Sequence, residues 1–96
     1  MTPDEFRAAL ARLSLSQGML SRTFRFLGDP AAAKTIRTRV ERWASGKAKV
    51  PGEAVAFIGL LDRYPAVLAE LGAAMAKAAA EEKVQYKYTN VADELD

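Results

Sequence analysis

Eight basic side chains, Arg22, Arg25, Lys34, Arg37, Arg39, Arg42, Lys47 and Lys49, crowd into one stretch of the chain that holds only two acids, Asp29 and Glu41, a local net charge of +6. The remaining residues carry six basic and ten acidic side chains, a net of −4, so the overall +2 hides a strong segregation of charge. Clustered guanidinium and ammonium groups on a small domain suit docking on phosphates, and nucleic acid is the first partner they suggest. The plain alternative is a solvated helix face, and the placement of the charges relative to the apolar residues has to decide between the two.

Other chemistries are poorly supplied. The 96 residues include no His and no Cys, which removes the usual zinc ligands, the thiol nucleophile, any disulfide and the commonest general base. Serines and tyrosines have no base nearby in sequence, the carboxylates are scattered, and Gly59 and Gly72 lack the spacing of a phosphate-binding loop. We therefore expect no catalytic residues, no metal and no cofactor. No apolar run approaches the ~18 residues that span a bilayer, and the first residues lack the pattern of a secretory signal, so the chain reads as cytoplasmic.

The elements that must position the basic residues are helices. Phe6, Leu10 and Leu13, then Leu20, Phe24 and Leu27, then Ile36, Val40 and Trp43 each fall at i, i+4, i+7 and so share one helix face. Thr2-Pro3-Asp4-Glu5 has the form of a capping box with Pro at the first helical position. Ser16 is a suitable cap for the second helix, leaving residues 13–15 as a tight connection. Gly28-Asp29-Pro30 ends that helix, and Ser45-Gly46 ends the third ahead of a basic loop over residues 47–50.

Pro51 opens a fourth helix to about Tyr64, and Pro65 a fifth to about Lys83. The fourth is apolar nearly all round, with Val55 and Ile58 on one side and Phe57, Leu60, Leu61 and Tyr64 on the other, so it needs cover on both faces. Leu68, Leu71 and Met75 of the fifth helix suit one face, and a second subunit suits the other. Residues 84–96 read as a tail, either mobile or a partner-binding arm, with a weak strand pattern over residues 84–89.

At about 100° per residue, Ile36, Val40 and Trp43 centre the core side of the third helix, while Lys34, Thr38, Glu41, Arg42 and Ser45 point away. Thr35 and Arg37 fall at the edges. Arg39 lies nearer the core boundary, placed for a phosphate or an intramolecular partner. An i,i+4 ion pair between Arg37 and Glu41 is a competing use for both.

The segment Leu13-Ser14-Leu15-Ser16-Gln17, the segment Arg42-Trp43-Ala44-Ser45-Gly46-Lys47 and the pair Val50-Pro51, in this helix order, resemble the Xre/Cro family of helix-turn-helix regulators, the fold of the lambda repressor DNA-binding domain. The resemblance covers about residues 2–64. It implies an all-α, five-helix lambda repressor-like domain over residues 1–83, with a recognition helix at about residues 30–45 and a short C-terminal tail. It further implies that Gln17 bonds a DNA phosphate near the start of the second helix, that base-reading positions fall on Arg37, Thr38 and Arg42, and that Lys47 and Lys49 contact the backbone.

Groove chemistry extends the assignment. Arg can donate twice to guanine, Thr can bond a base edge or touch a thymine methyl, and Glu can accept from cytosine N4, so Arg37, Thr38, Glu41 and Arg42 are the expected readers. Arg22, Arg25, Lys34, Arg39, Lys47 and Lys49, with Gln17, are the expected phosphate contacts, which set affinity and its salt dependence.

One departure from the family stands out. About seven extra residues lie between the second and third helices, near residues 26–34. Either the turn is a longer loop and the third helix starts near Thr35, or that helix starts at Asp29-Pro30; Ala32 and Ala33, beside Ile36, favour the longer helix.

The expected function is a compact repressor acting by promoter occlusion, binding double-stranded DNA as a homodimer on an inverted-repeat operator. Stand-alone relatives of this kind often belong to phage or mobile elements. Two alternatives are an antitoxin-type repressor that binds a protein partner through residues 84–96, and a protein-only inhibitor of another regulator.

Overall fold

In a computed structural model, residues 1–81 are described side chain and all, and residues 82–95 by helix assignment alone. Five helices follow one another: α1 (Pro3–Arg12), α2 (Gln17–Phe26), α3 (Ala33–Ser45), α4 (Gly52–Arg63) and α5 (Pro65–Leu95). The all-α, five-helix order expected from periodicity is the one observed. The tail expected over residues 84–96, mobile or partner-binding, lies outside the residues whose side chains are described. The chain divides into two units, Met1–Pro65 and Ala66–Asp96, at the proline that opens α5.

Local chemistry sets the helix ends. The Thr2 hydroxyl accepts from the Glu5 N–H at 3.1 Å while the Glu5 carboxylate accepts from the Thr2 N–H at 3.0 Å, so the capping box is closed from both sides. That backbone hydrogen bond, with the Thr2 side chain, holds the Glu5 carboxyl below its ordinary range. Ser16 caps α2 by accepting from the Met19 N–H at 3.0 Å.

The end of α1 uses a residue poorly suited to it. Ser14 has φ 53°, and the Leu15 N–H reaches back to the Leu10 carbonyl at 2.9 Å while the Ser14 N–H reaches Ala11 at 3.1 Å, the paired bonds of a Schellman motif. Left-handed backbone costs a residue with a Cβ about 1–2 kcal/mol, partly offset by glycine's greater freedom in the unfolded chain. Ser14→Gly is therefore expected to raise the unfolding free energy by roughly 0.5–1 kcal/mol. A lower urea midpoint for that variant would show that Ser14 is not strained. The end of α2 repeats the motif with the favoured residue: Gly28 has φ 105°, the Asp29 N–H bonds Phe24 and the Gly28 N–H bonds Arg25, each at 3.1 Å.

Helix α3 starts at Ala33, so the recognition segment expected at about residues 30–45 is shorter, and a connection over residues 27–32 takes up most of the extra length. The Asp29 carboxylate accepts the Ala31 N–H at 3.0 Å just past the glycine stop of α2, and Ala32 keeps extended backbone (φ −61°, ψ 148°), so the helix begins only after it.

The core of the first unit is built on α3, which packs on both α1 and α2, while α4 packs on α1. Phe6, Leu20, Ile36, Val40, Ile58 and Leu61 are fully buried, and Leu15 and Val50 add to the core from the connections. Trp43, only 5% exposed, meets Phe6 and Phe24 edge to face, each with ring centroids 6.1 Å apart, and Phe24 tilts against Phe57 at 5.5 Å.

The apolar sets are corrected at their ends. Leu13 and Leu27 are the C-caps of α1 and α2, where the chain leaves the helix, and they are half-buried and exposed respectively. In α4 the buried stripe is Ala54, Ile58 and Leu61, at i, i+4, i+7, so Ile58 and Leu61 share a side instead of facing apart. Leu60 and Tyr64 are exposed.

Candidate nucleic-acid interface

Trp43 fixes the rotation of α3. With Ile36, Val40, Trp43 and Ala44 buried, the opposite side of the helix presents Lys34, Thr38, Glu41, Arg42 and Ser45, with Arg37 at its edge, all exposed. The helix is held at its far end as well. The Arg7 guanidinium of α1 bonds the Ala44 carbonyl and the Asp4 carboxylate, and a cation near helix-terminal carbonyls is favourably placed.

The loop after α3 is folded back on it. Gly46 takes φ 82°, a left-handed geometry that suits glycine, and a Cβ there would stand 3.1 Å from the Pro3 ring. The Ala48 N–H then bonds the Arg42 carbonyl at 3.2 Å, which keeps Lys47 and Lys49, both exposed, beside the C-terminal turn of α3.

The predicted contacts separate into two groups. Lys34, Thr38, Arg39 and Arg42 line one open groove of about 410 Å³ together with Thr35 and Ala48. Arg22, Arg25 and Arg37 line a different and smaller cleft of about 160 Å³ between α2 and α3, with Gly18, Ser21 and Ala33. Glu41, Lys47 and Lys49 are exposed outside both linings, and Gln17, the first residue of α2, is half-buried. Sequence reasoning left Thr35 at the edge of the face and did not single out Ser21 or Ala48. Helical angle had signalled Thr35, but nothing local announces which loop residue folds onto a helix.

Arg39 is committed within the fold. Its guanidinium donates to the Asp29 carboxylate at 2.8 Å, the intramolecular partner weighed from sequence, while the side chain still lines the groove. Asp29 and Arg39 together line a third cavity of about 310 Å³ with Phe24, Trp43, Pro51, Glu53 and Ala54. The Asp29 carboxyl is held below its ordinary value, first by the Ala31 N–H and then by the Arg39 guanidinium.

A carboxyl depressed on folding favours the folded state above its unfolded value of ~3.9, and that contribution is lost as pH falls through the depressed value. The Asp29 carboxyl carbon is therefore expected to titrate below ~3.9 by NMR, and Arg39→Gln should raise its midpoint part of the way only, because the Ala31 bond remains. A midpoint at or above the ordinary value would mean that these contacts do not persist in solution.

The electrostatics of the face are unbalanced. Among the described residues the ion pairs are Arg7–Asp4, Arg12–Asp62 and Arg39–Asp29. The Arg37–Glu41 pair weighed from sequence is not among them. Arg22, Arg25, Lys34, Arg37, Arg42, Lys47 and Lys49 therefore have no ion-pair partner among the described residues. No group of three carboxylates among the described residues is gathered to hold a metal ion, and no helix among them is long and apolar enough to cross a membrane. Compared with known proteins, the chain matches no family model, no curated protein and no solved structure.

Proposed function

We propose that this chain is a sequence-specific double-stranded DNA-binding regulator of the Xre/Cro helix-turn-helix kind, a small cytoplasmic repressor that occludes a promoter by laying α3 in the major groove. The observation that carries the reading is the two-sidedness of α3: Trp43 and its neighbours buried on one side, and Lys34, Thr38, Glu41, Arg42 and Ser45 exposed on the other. A helix with its side chains is about 10–12 Å across, and the major groove of B-DNA is about 12 Å wide. Among the described residues the surrounding cations have no ion-pair partner, and a duplex would supply counter-charge.

One such module reads few base pairs, and binding as a homodimer on inverted half-sites about one helical turn apart is part of the proposal. A protein-only inhibitor is disfavoured by Lys34, Lys47 and Lys49 among these cations, because the cores of protein interfaces are depleted in Lys. The antitoxin-type alternative rests on residues 84–96, whose side chains are not described.

The test is a titration of purified protein against the DNA upstream of its own coding sequence, with random competitor, at two salt concentrations. Preference for the upstream fragment is expected, with log K falling by about 0.9 per phosphate neutralised for each tenfold rise in salt. Equal, salt-sensitive binding to every duplex would replace the regulator with an architectural protein, and no binding would leave the protein-only module.

A further inference from the structure

Helical geometry divides the readers expected from sequence. Arg37 and Arg42 stand five residues apart, which turns them about 140° from one another around α3. They cannot both face the bases beneath a row centred on Thr38. The cavities agree with this separation: Arg42 and Thr38 line the open groove, whereas Arg37 joins Arg22 and Arg25 in the α2–α3 cleft.

Three arginines line one small cleft, and their like charges repel. No carboxylate lines the cleft, and none of the three makes an ion pair among the described residues. Ser21, whose hydroxyl donates to the Gln17 carbonyl at 2.9 Å, is neutral and brings no counter-charge. The floor is small, with Gly18 and Ala33 leaving space between the helices. A compact anion with several acceptor oxygens would relieve the repulsion, and the planar donors of Arg suit phosphate oxygens.

Resting on the DNA-binding reading above, we propose that the α2–α3 cleft is a phosphodiester site of the duplex backbone, in which Arg37 acts with Arg22 and Arg25 and positions the DNA instead of reading a base. Base reading then falls to Thr38, Glu41 and Arg42, and Arg37 fixes how deeply α3 sits.

The test compares wild type with Arg37→Gln and Arg37→Lys on duplexes selected from a randomised pool, with the full sequence preference and the salt dependence measured for each, and with melting followed by circular dichroism. For Arg37→Gln, affinity for every duplex is expected to fall by one common factor, about fivefold at 0.15 M salt, and the salt slope by about 0.9, with the preference profile unchanged. Arg37→Lys keeps the charge, so most of the slope and the whole profile should be retained. Loss of preference at one base pair in either variant would overturn the assignment, as would an Arg37→Gln salt slope equal to that of wild type; either result leaves DNA binding itself standing. If wild type has no affinity for any duplex at low salt, the DNA-binding reading fails and the phosphodiester site fails with it. Should Arg37→Gln melt far below wild type, the lysine variant alone decides, by its profile.

Discussion

Trp43→Ala is expected to lower the unfolding free energy by about 3–5 kcal/mol, a large share of the roughly 5–15 kcal/mol that holds a typical domain together. The indole is 5% exposed and contacts Phe6 of α1 and Phe24 of α2 through ring edges, so its removal opens a cavity shared by three helices. No other side chain of α3 makes aromatic contacts to two elements among the described residues, and neighbours on separate helices cannot collapse into the void together. Urea unfolding followed by circular dichroism measures the change. Because the same indole sets the rotation of α3, DNA binding should be lost at temperatures where the variant is only partly folded. A cost under about 1 kcal/mol would mean that the aromatic cluster does not organise the core.

Arg42→Ala should leave melting unchanged and relax base preference at one position, weakening the selected duplex by about 1–3 kcal/mol and random duplexes much less. Its side chain is exposed on the groove, while the Arg42 carbonyl that accepts the Ala48 N–H belongs to the backbone and survives the substitution. Lys47→Ala, in the loop, is the counterpart: binding should weaken by the same factor for all sequences, with a salt slope smaller by about 0.9. Competition binding on selected and random duplexes separates the two outcomes. If both substitutions weaken selected and random DNA equally, Arg42 is a phosphate contact and the division of roles around α3 has to be redrawn.

Trp43→Ala and Arg42→Ala probe a buried and an exposed position of α3, and the two sides of the helix were legible to different degrees. The buried side was plain from spacing alone, because Ile36, Val40 and Trp43 recur at helical period and nothing else in the third stretch competes for the core. The exposed side was legible as a face, since whatever lies opposite Trp43 must meet solvent. Which cations on that face act together was not legible. Arg37 and Arg42 look equivalent in a list of basic residues, and only the position of α2 gives Arg37 a cleft with Arg22 and Arg25.

Arg39 illustrates the same limit. Its place near the core boundary indicated either a phosphate or a partner within the chain, and the choice belonged to Asp29, ten residues earlier in an irregular connection. No periodicity governs such a loop. The alanines near its end favoured a longer α3, but Ala32 takes extended backbone and the helix starts only at Ala33.

The amino-acid sequence alone determined the order of the helices, the Thr2 and Ser16 caps, the Gly28 stop, the aromatic anchor and the segregation of charge, because each depends on interactions within a few residues or on composition. Tertiary structure alone decided where α3 begins, that Arg39 turns inward to Asp29, that α4 buries Ala54, Ile58 and Leu61 on one stripe, and that the cations sort into a groove and a cleft. Those features arise between segments distant along the chain, where geometry is set by which faces pack together.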